Sequence, residues 1–170
     1  MTNPKQLYLD VKIDQTKNLS DFIQCKSTDL IIKALKEFCT EESLNQNFFL
    51  WGRAGSGKNY LLHSIHHEFI SANKRVAFIS FKNSVFSSPE ILDGLDSLDL
   101  IIIESINLFP KENNWELALF NLINAARLSG TKILCSSDKV AKDLNFSLPD
   151  LISRLLSFSP FEVKEIKEEE

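Results

Sequence analysis

The apolar positions of this chain change period several times, and each change marks an element. Leu7, Leu9 and Val11 alternate with Tyr8, Asp10 and Lys12, the period of an extended segment that by pattern alone reads as an edge strand. Asp14 to Asp21 is polar and reads as a loop. Ser27 is placed to cap a helix whose apolar face is Leu30, Ile31, Ala34, Leu35 and Phe38. A polar stretch, 41–46, leads into Phe48-Phe49-Leu50-Trp51, a short strand. Leu61, Leu62, Ile65 and Phe69 then recur at helical spacing, and 76–81 (VAFISF) predicts a second strand. Ser88-Pro89-Glu90 predicts a short helix carrying Ile91, Leu92 and Leu95. The run LDLIIIES, 98–105, is apolar on both faces, which suits the middle of a parallel sheet. A helix follows Asn113-Asn114, with Trp115, Ala118, Leu119, Leu122, Ile123 and Ala126 on one side, and Gly130 ends it. Lys132 to Ser136 predicts a fourth strand. Ser147-Leu148-Pro149-Asp150 predicts a helix start with an acid at the capping-box position. Residues 161–166 predict a last strand before an acidic tail. Strand and helix alternate without an internal repeat. That order calls for an α/β fold, a mostly parallel five-stranded sheet covered on both faces. Ligands in such folds sit at the carboxyl ends of the strands.

Between the first of these strands and its helix lies GRAGSGK, residues 52–58, the G-x-x-x-x-G-K spacing of a phosphate-binding loop. Glycine lets the backbone approach phosphate oxygens closely, and the loop N–H groups and helix N-terminus face the anion. Lys58 adds a mobile positive charge. The setting of strand, loop and helix makes the motif specific. The residue after Lys58 is Asn59, where a Ser or Thr hydroxyl would ligate Mg²⁺. Its side-chain carbonyl is the oxygen available there.

The third strand ends in Glu104-Ser105. An acid at this place holds the metal and its waters (the Walker B position), and Glu104 can serve. A second acid to orient the attacking water is expected next, and Ser105 stands there. Losing such a group costs about 10²- to 10⁴-fold in rate. Asn59 and Ser105 together predict nucleotide binding with weak or no self-contained hydrolysis. Ser136-Ser137-Asp138 reads either as a plain strand-to-loop turn or as a polar group reaching the γ-phosphate side. Arg154, on the helix LPDLISRLL, reads either as a surface charge with a buried stem or as an arginine finger for a neighbouring subunit. His63 and His67 are four apart on a helix, but no third ligand accompanies them, so they read as packing or surface residues.

Composition narrows the field. The 170 residues are 44% hydrophobic and 25% charged, as in a globular domain. Nineteen basic against 23 acidic residues give a net charge of −4, which argues against broad nucleic-acid binding, and no direct sequence-specific DNA contact is expected. Three cysteines, an odd number without zinc spacing, point to a reducing compartment. No apolar run approaches the length of a membrane span, and no signal peptide opens the chain. A cytoplasmic protein is expected.

Taken together, NFFLWGRAGSGKNYLLHSI, PEILDGLDSLDLIIIESINLF, NWELALFNLINAARLSGTKIL, LNFSLPDLISRL and the opening QLYLDV resemble the Hda family, DnaA-related members of the AAA+ ATPases, over about residues 5–166. The resemblance implies an AAA+ type P-loop NTPase with three αβα layers. It implies an extended clamp-binding segment at 1–20 and an AAA+ domain at 21–170, here without the helical lid that usually follows. The implied function is to bind the DNA polymerase sliding clamp and ADP or ATP, and to make DnaA hydrolyse its ATP, which stops re-initiation at the bacterial nucleoid. In this reading Gly52, Arg53, Ala54, Gly55, Ser56, Gly57, Lys58, Asn59 and Tyr60 hold the nucleotide, with Asp138 as sensor 1. Glu104 is Walker B, and Asn59 with Glu104 is the candidate Mg²⁺ site. Arg154 is the finger acting in trans. Gln6, Leu7, Leu9 and Val11 dock on the clamp as an extended peptide. A homodimer is compatible with the resemblance. The chain departs from the pattern at Asn59, at Ser105, and at Lys139-Val140-Ala141 after Asp138. Two rivals stay open: a self-sufficient ATPase like DnaA or a helicase loader, and a module that binds partners but no nucleotide.

Overall fold

The structure is a computed structural model that describes residues 7–9, 14, 16–22, 26–40, 47–82 and 86–165. The strands are β1 (Leu7–Leu9), β2 (Phe48–Trp51), β3 (Val76–Ser80), β4 (Leu100–Glu104), β5 (Lys132–Ser137) and β6 (Ser159–Glu162). The helices are α1 (Lys26–Phe38), α2 (Lys58–Ser71), α3 (Asn113–Ser129) and α4 (Pro149–Leu156). One sheet runs in the order β1-β3-β4-β5-β2-β6, and every pairing in it is parallel. Five of its strands are those the pattern predicts. The sixth is the N-terminal segment, which adds to the free side of β3 with Leu7 opposite Ala77 and Leu9 opposite Ile79.

Alternation along the strands divides the core. Phe48, Leu50, Val76, Phe78, Leu100, Ile102 and Leu134 pack with Ile31, Leu35 and Phe38 of α1 and with Leu61, Leu62 and Ile65 of α2. Phe49, Ala77, Ile79, Ile101, Ile103, Ile133 and Cys135 face the other way, onto Leu119 and Ile123 of α3 and Leu151 and Leu155 of α4. The central strands β3 and β4 are buried at every position, which is why they read as unbroken apolar runs.

Several local expectations change. Helix α1 starts at Lys26, so Ser27 lies inside it rather than before it. The stretch after Ser88 is two 3₁₀ turns, Pro89–Leu92 and Leu95–Ser97, not a helix, although the Ser88 hydroxyl does accept from the Glu90 N–H. Gly94, at φ +75°, separates the turns and stops propagation. The last strand runs 159–162 and not 161–166. The residue preceding α4 is Leu148, not Ser147, and no local side chain caps it.

Past β1, the described residues of the 1–20 segment are tied to α2. The Asp14 N–H donates to His63 Nδ1 (3.3 Å), and Tyr60 Oη donates to the Asn18 carbonyl (3.1 Å). His63 is thereby a buried packing residue that accepts through one ring nitrogen, and desolvation lowers its pKa. No group of three potential metal ligands occurs among the described residues.

Candidate functional site

Strands β2, β4 and β5 end together, and the 52–58 loop closes over them. Gly52 donates its N–H to the Ser137 carbonyl (3.1 Å) as the chain leaves the sheet. A Cβ on Gly52 would stand 2.2 Å from the Val163 carbonyl oxygen, so the residue has to be glycine. Gly57 opens α2 at φ +102°, with the Phe22 ring 3.0 Å from where a Cβ would be. No side chain caps α2. Its first N–H groups are therefore free to meet an anion.

A cavity of about 270 Å³ lies over this loop. Ala54, Gly55, Gly57, Lys58 and Asn59 line it on one side; Glu104, Ser105, Ser136 and Asp138 come from the strand ends. Lys58 Nζ donates to the carbonyls of Gly52 (2.6 Å) and Arg53 (2.8 Å) and lies 3.4 Å from a carboxylate oxygen of Asp138. The motif lysine and the candidate sensor thus meet across the mouth of the loop. The strand ends are held in place by their own bonds. Ser105, in a left-handed conformation at φ +58°, donates its N–H to Ser136 Oγ (3.0 Å). The Asp138 N–H donates to Asn107 Oδ1 (3.1 Å).

The donor set fits the phosphates of a nucleotide: open backbone amides, an ammonium group, and a cradle that side chains would fill. It fits a metal less well. Asn59 stands in the hydroxyl position, Ser105 brings no carboxylate, and the Asp138 carboxylate is turned to Lys58, which leaves Glu104 as the acid of the cavity wall. Ser105 has no group that would take a proton from water near neutral pH.

Not every predicted site residue reaches the cavity. Gly52, Arg53 and Ser56 do not line it; Arg53 is exposed, and the Ser56 hydroxyl is buried without a partner among the described residues. Tyr60 points away, onto Phe22 (ring centroids 5.5 Å apart) and beneath Lys17. Leu7 and Leu9 lie in β1, the terminal strand of the sheet. Gln6 and Val11 lie outside the described residues.

Arg154 sits elsewhere. It lines a second cavity with Asn47, Gly130, Thr131 and Lys132. Asn47 precedes β2 and Lys132 opens β5, so this is the amino end of the sheet. Strands of this length put it roughly 13–20 Å from the phosphate loop. The guanidinium is neither buried in the core nor loose: Nε donates to Asn124 Oδ1 (2.8 Å), and the group lies over the Phe120 ring (5.7 Å). The helix that carries it is anchored by Glu116 of α3, a residue 1% exposed. Its two carboxylate oxygens accept the N–H groups of Ser147 (3.1 Å) and Leu148 (2.8 Å). Sequence reading missed Glu116 as well as Lys82, which completes the wall of the loop cavity.

Fold and loop together define a P-loop NTPase of the AAA+ type. The family model for the bacterial DnaA ATPase domain matches residues 13–157, and the chain belongs to that family. AMPPCP-bound DnaA from Aquifex aeolicus has the same fold (TM-score 0.76, 20% identity), over 89% of this chain and 51% of that one. Domain III of DnaA from Thermotoga maritima matches at TM-score 0.77 and 20% identity, over 94% and 71%. DnaI matches at 0.76 and 15%, over 95% of both chains. The chain spans about half the length of two solved DnaA chains and of a DNA replication initiation factor that it matches. Among the described residues no helix is long and apolar enough to cross a membrane.

Proposed function

We propose that this chain is a nucleotide-binding regulator of replication initiation. In this reading it holds ADP or ATP in its phosphate loop and docks on the sliding clamp through Gln6, Leu7, Leu9 and Val11. It then lends Arg154 to the nucleotide site of a DnaA molecule. The observation that carries the reading is the place of Arg154, at the opposite end of the sheet from its own loop. From there it serves only another subunit's phosphates. A guanidinium supplied in this way is worth about 10³- to 10⁵-fold in rate. Ser105, at the position of the second acid, supports the same division of labour. The nucleotide supplies the phosphate charge that the loop amides and Lys58 meet. Were Mg²⁺ to accompany it, Asn59 and Glu104 would be its oxygen donors from this chain. DnaA with a clamp-loaded DNA tests the reading: wild type accelerates ATP hydrolysis by DnaA, Arg154→Ala does not, and Gln6→Ala with Leu7→Ala loses clamp binding and with it the stimulation. Equal stimulation by Arg154→Ala refutes the finger assignment.

The likeness to DnaI along nearly the whole of both chains favours a second reading, a self-sufficient ATPase of the helicase-loader kind. Turnover of ATP by the pure protein, abolished in Lys58→Ala, would select it.

A further inference from the structure

Lys82 follows β3 at a place no phosphate-loop motif specifies. Val76 and Phe78 of that strand face α2. Ser80 and Lys82 continue the same alternation, which brings Lys82 to the α2 side of the sheet just past its carboxyl end. Its N–H donates to Ser80 Oγ (3.3 Å), which turns the chain there, and the exposed residue lines the cavity with Gly55, Gly57, Lys58 and Asn59. Among the described residues Lys82 forms no ion pair. Lys58, by contrast, is already committed to two carbonyls and to Asp138. The uncommitted cation of the cavity is therefore Lys82.

We propose that Lys82 is a second phosphate-binding cation of the loop, and that it lets the site hold a nucleoside diphosphate without a divalent metal. The proposal rests on the nucleotide-binding reading above. A bare diphosphate brings about three negative charges, and the helix N-terminus offsets only about half of one. In an ordinary phosphate loop the metal, held by the hydroxyl after the lysine, takes much of the remainder. Here Asn59 occupies that position. An ammonium on the facing wall supplies the missing positive charge from the other side, and it needs no coordination geometry to do so.

The test is calorimetric titration of the purified chain with ADP, in excess magnesium chloride and again in EDTA. Wild type is expected to bind in both, with little change on chelation. Lys82→Ala is expected to weaken binding in EDTA by about tenfold, the value of one charge-assisted contact. The loss should be smaller with magnesium present, because the metal then shares the charge, and Lys82→Arg should restore binding. The side chain is exposed, so these variants fold as the parent does. Wild-type affinity that collapses in EDTA, or a Lys82→Ala protein that binds as wild type in EDTA, overturns the proposal. Failure of wild type to bind ADP in either buffer overturns the nucleotide-binding reading itself, and this proposal with it. Binding that persists with magnesium but not with EDTA overturns only the role of Lys82.

Discussion

Replacing Glu116 tests how α4, and with it Arg154, is held in position. The carboxylate leaves α3 and takes the N–H groups of Ser147 and Leu148, the two donors at the entrance to α4. Pro149 supplies no N–H at the next position, and no local side chain caps the helix. Glu116→Ala therefore strands two donors. At about 1–3 kcal/mol for each unsatisfied group, and with Ser147 open enough for water to soften the loss, the cost is about 2–4 kcal/mol. Glu116→Gln keeps one acceptor oxygen but turns an amide toward a donor, for about 1–2 kcal/mol. In a domain of this size each kcal/mol lowers the melting temperature by roughly 2–4 °C. Urea and thermal unfolding followed by circular dichroism measure both variants. The functional counterpart is a folded Glu116→Gln protein that still binds ADP but stimulates DnaA less, since the loop cavity lies at the other end of the sheet. Unfolding of Glu116→Ala within about 0.5 kcal/mol of wild type would refute the reasoning, because it would show that neither N–H depends on this carboxylate.

Gly52→Ala forces a Cβ to within 2.2 Å of the Val163 carbonyl; the loop must move, and ADP affinity in a fluorescence titration should fall by about tenfold or more, whereas the same change at an unstrained site would stabilise the fold by about 0.4–1 kcal/mol. Asn124→Ala removes the acceptor for Arg154 Nε. It should lower stimulation of DnaA several-fold while ADP binding and melting temperature change little, at about 1 kcal/mol or less for one partly exposed bond. His66 is buried and its pKa is pushed down to about 4, chiefly by desolvation and then by His63 and His67. Folding therefore favours the neutral ring: stability is full above the ordinary value of 6.5 and falls as pH drops toward 4, by about 3 kcal/mol. A urea series from pH 7 to about 4 should show the loss, and His66→Phe, if it folds, should flatten that part of the profile.

Much of the site could be read along the chain because its chemistry is local. The loop needs Gly52 and Gly57, an ammonium at 58 and an amphipathic helix directly after, and all of these are neighbours in sequence. Glu104 was legible because it ends an apolar strand, and parallel strands bring their carboxyl ends to one edge; Asp138, one residue past β5, reads from pattern either as a turn residue or as a phosphate contact, and the folded chain sets it beside Lys58. Lys82 gave no such signal: it lies past the end of a strand in no motif, and only the packing of β3 beside β4 brings it to the cavity that Lys58 lines. The 88–95 stretch failed for the opposite reason. Its local start signal was correct, but Gly94 and the packing against α3 hold it as two short turns.

Periodicity, then, indicated five of the six strands, the last with shifted bounds, since burial on one or both faces dictates which positions must be apolar, and motif spacing indicated the phosphate loop. Strand order, the addition of Leu7–Leu9 to β3, the Glu116 anchor and the distance between Arg154 and its own loop were decided only by the folded chain. These depend on contacts between residues about 30 to 110 positions apart, and no periodicity in a linear sequence carries that information.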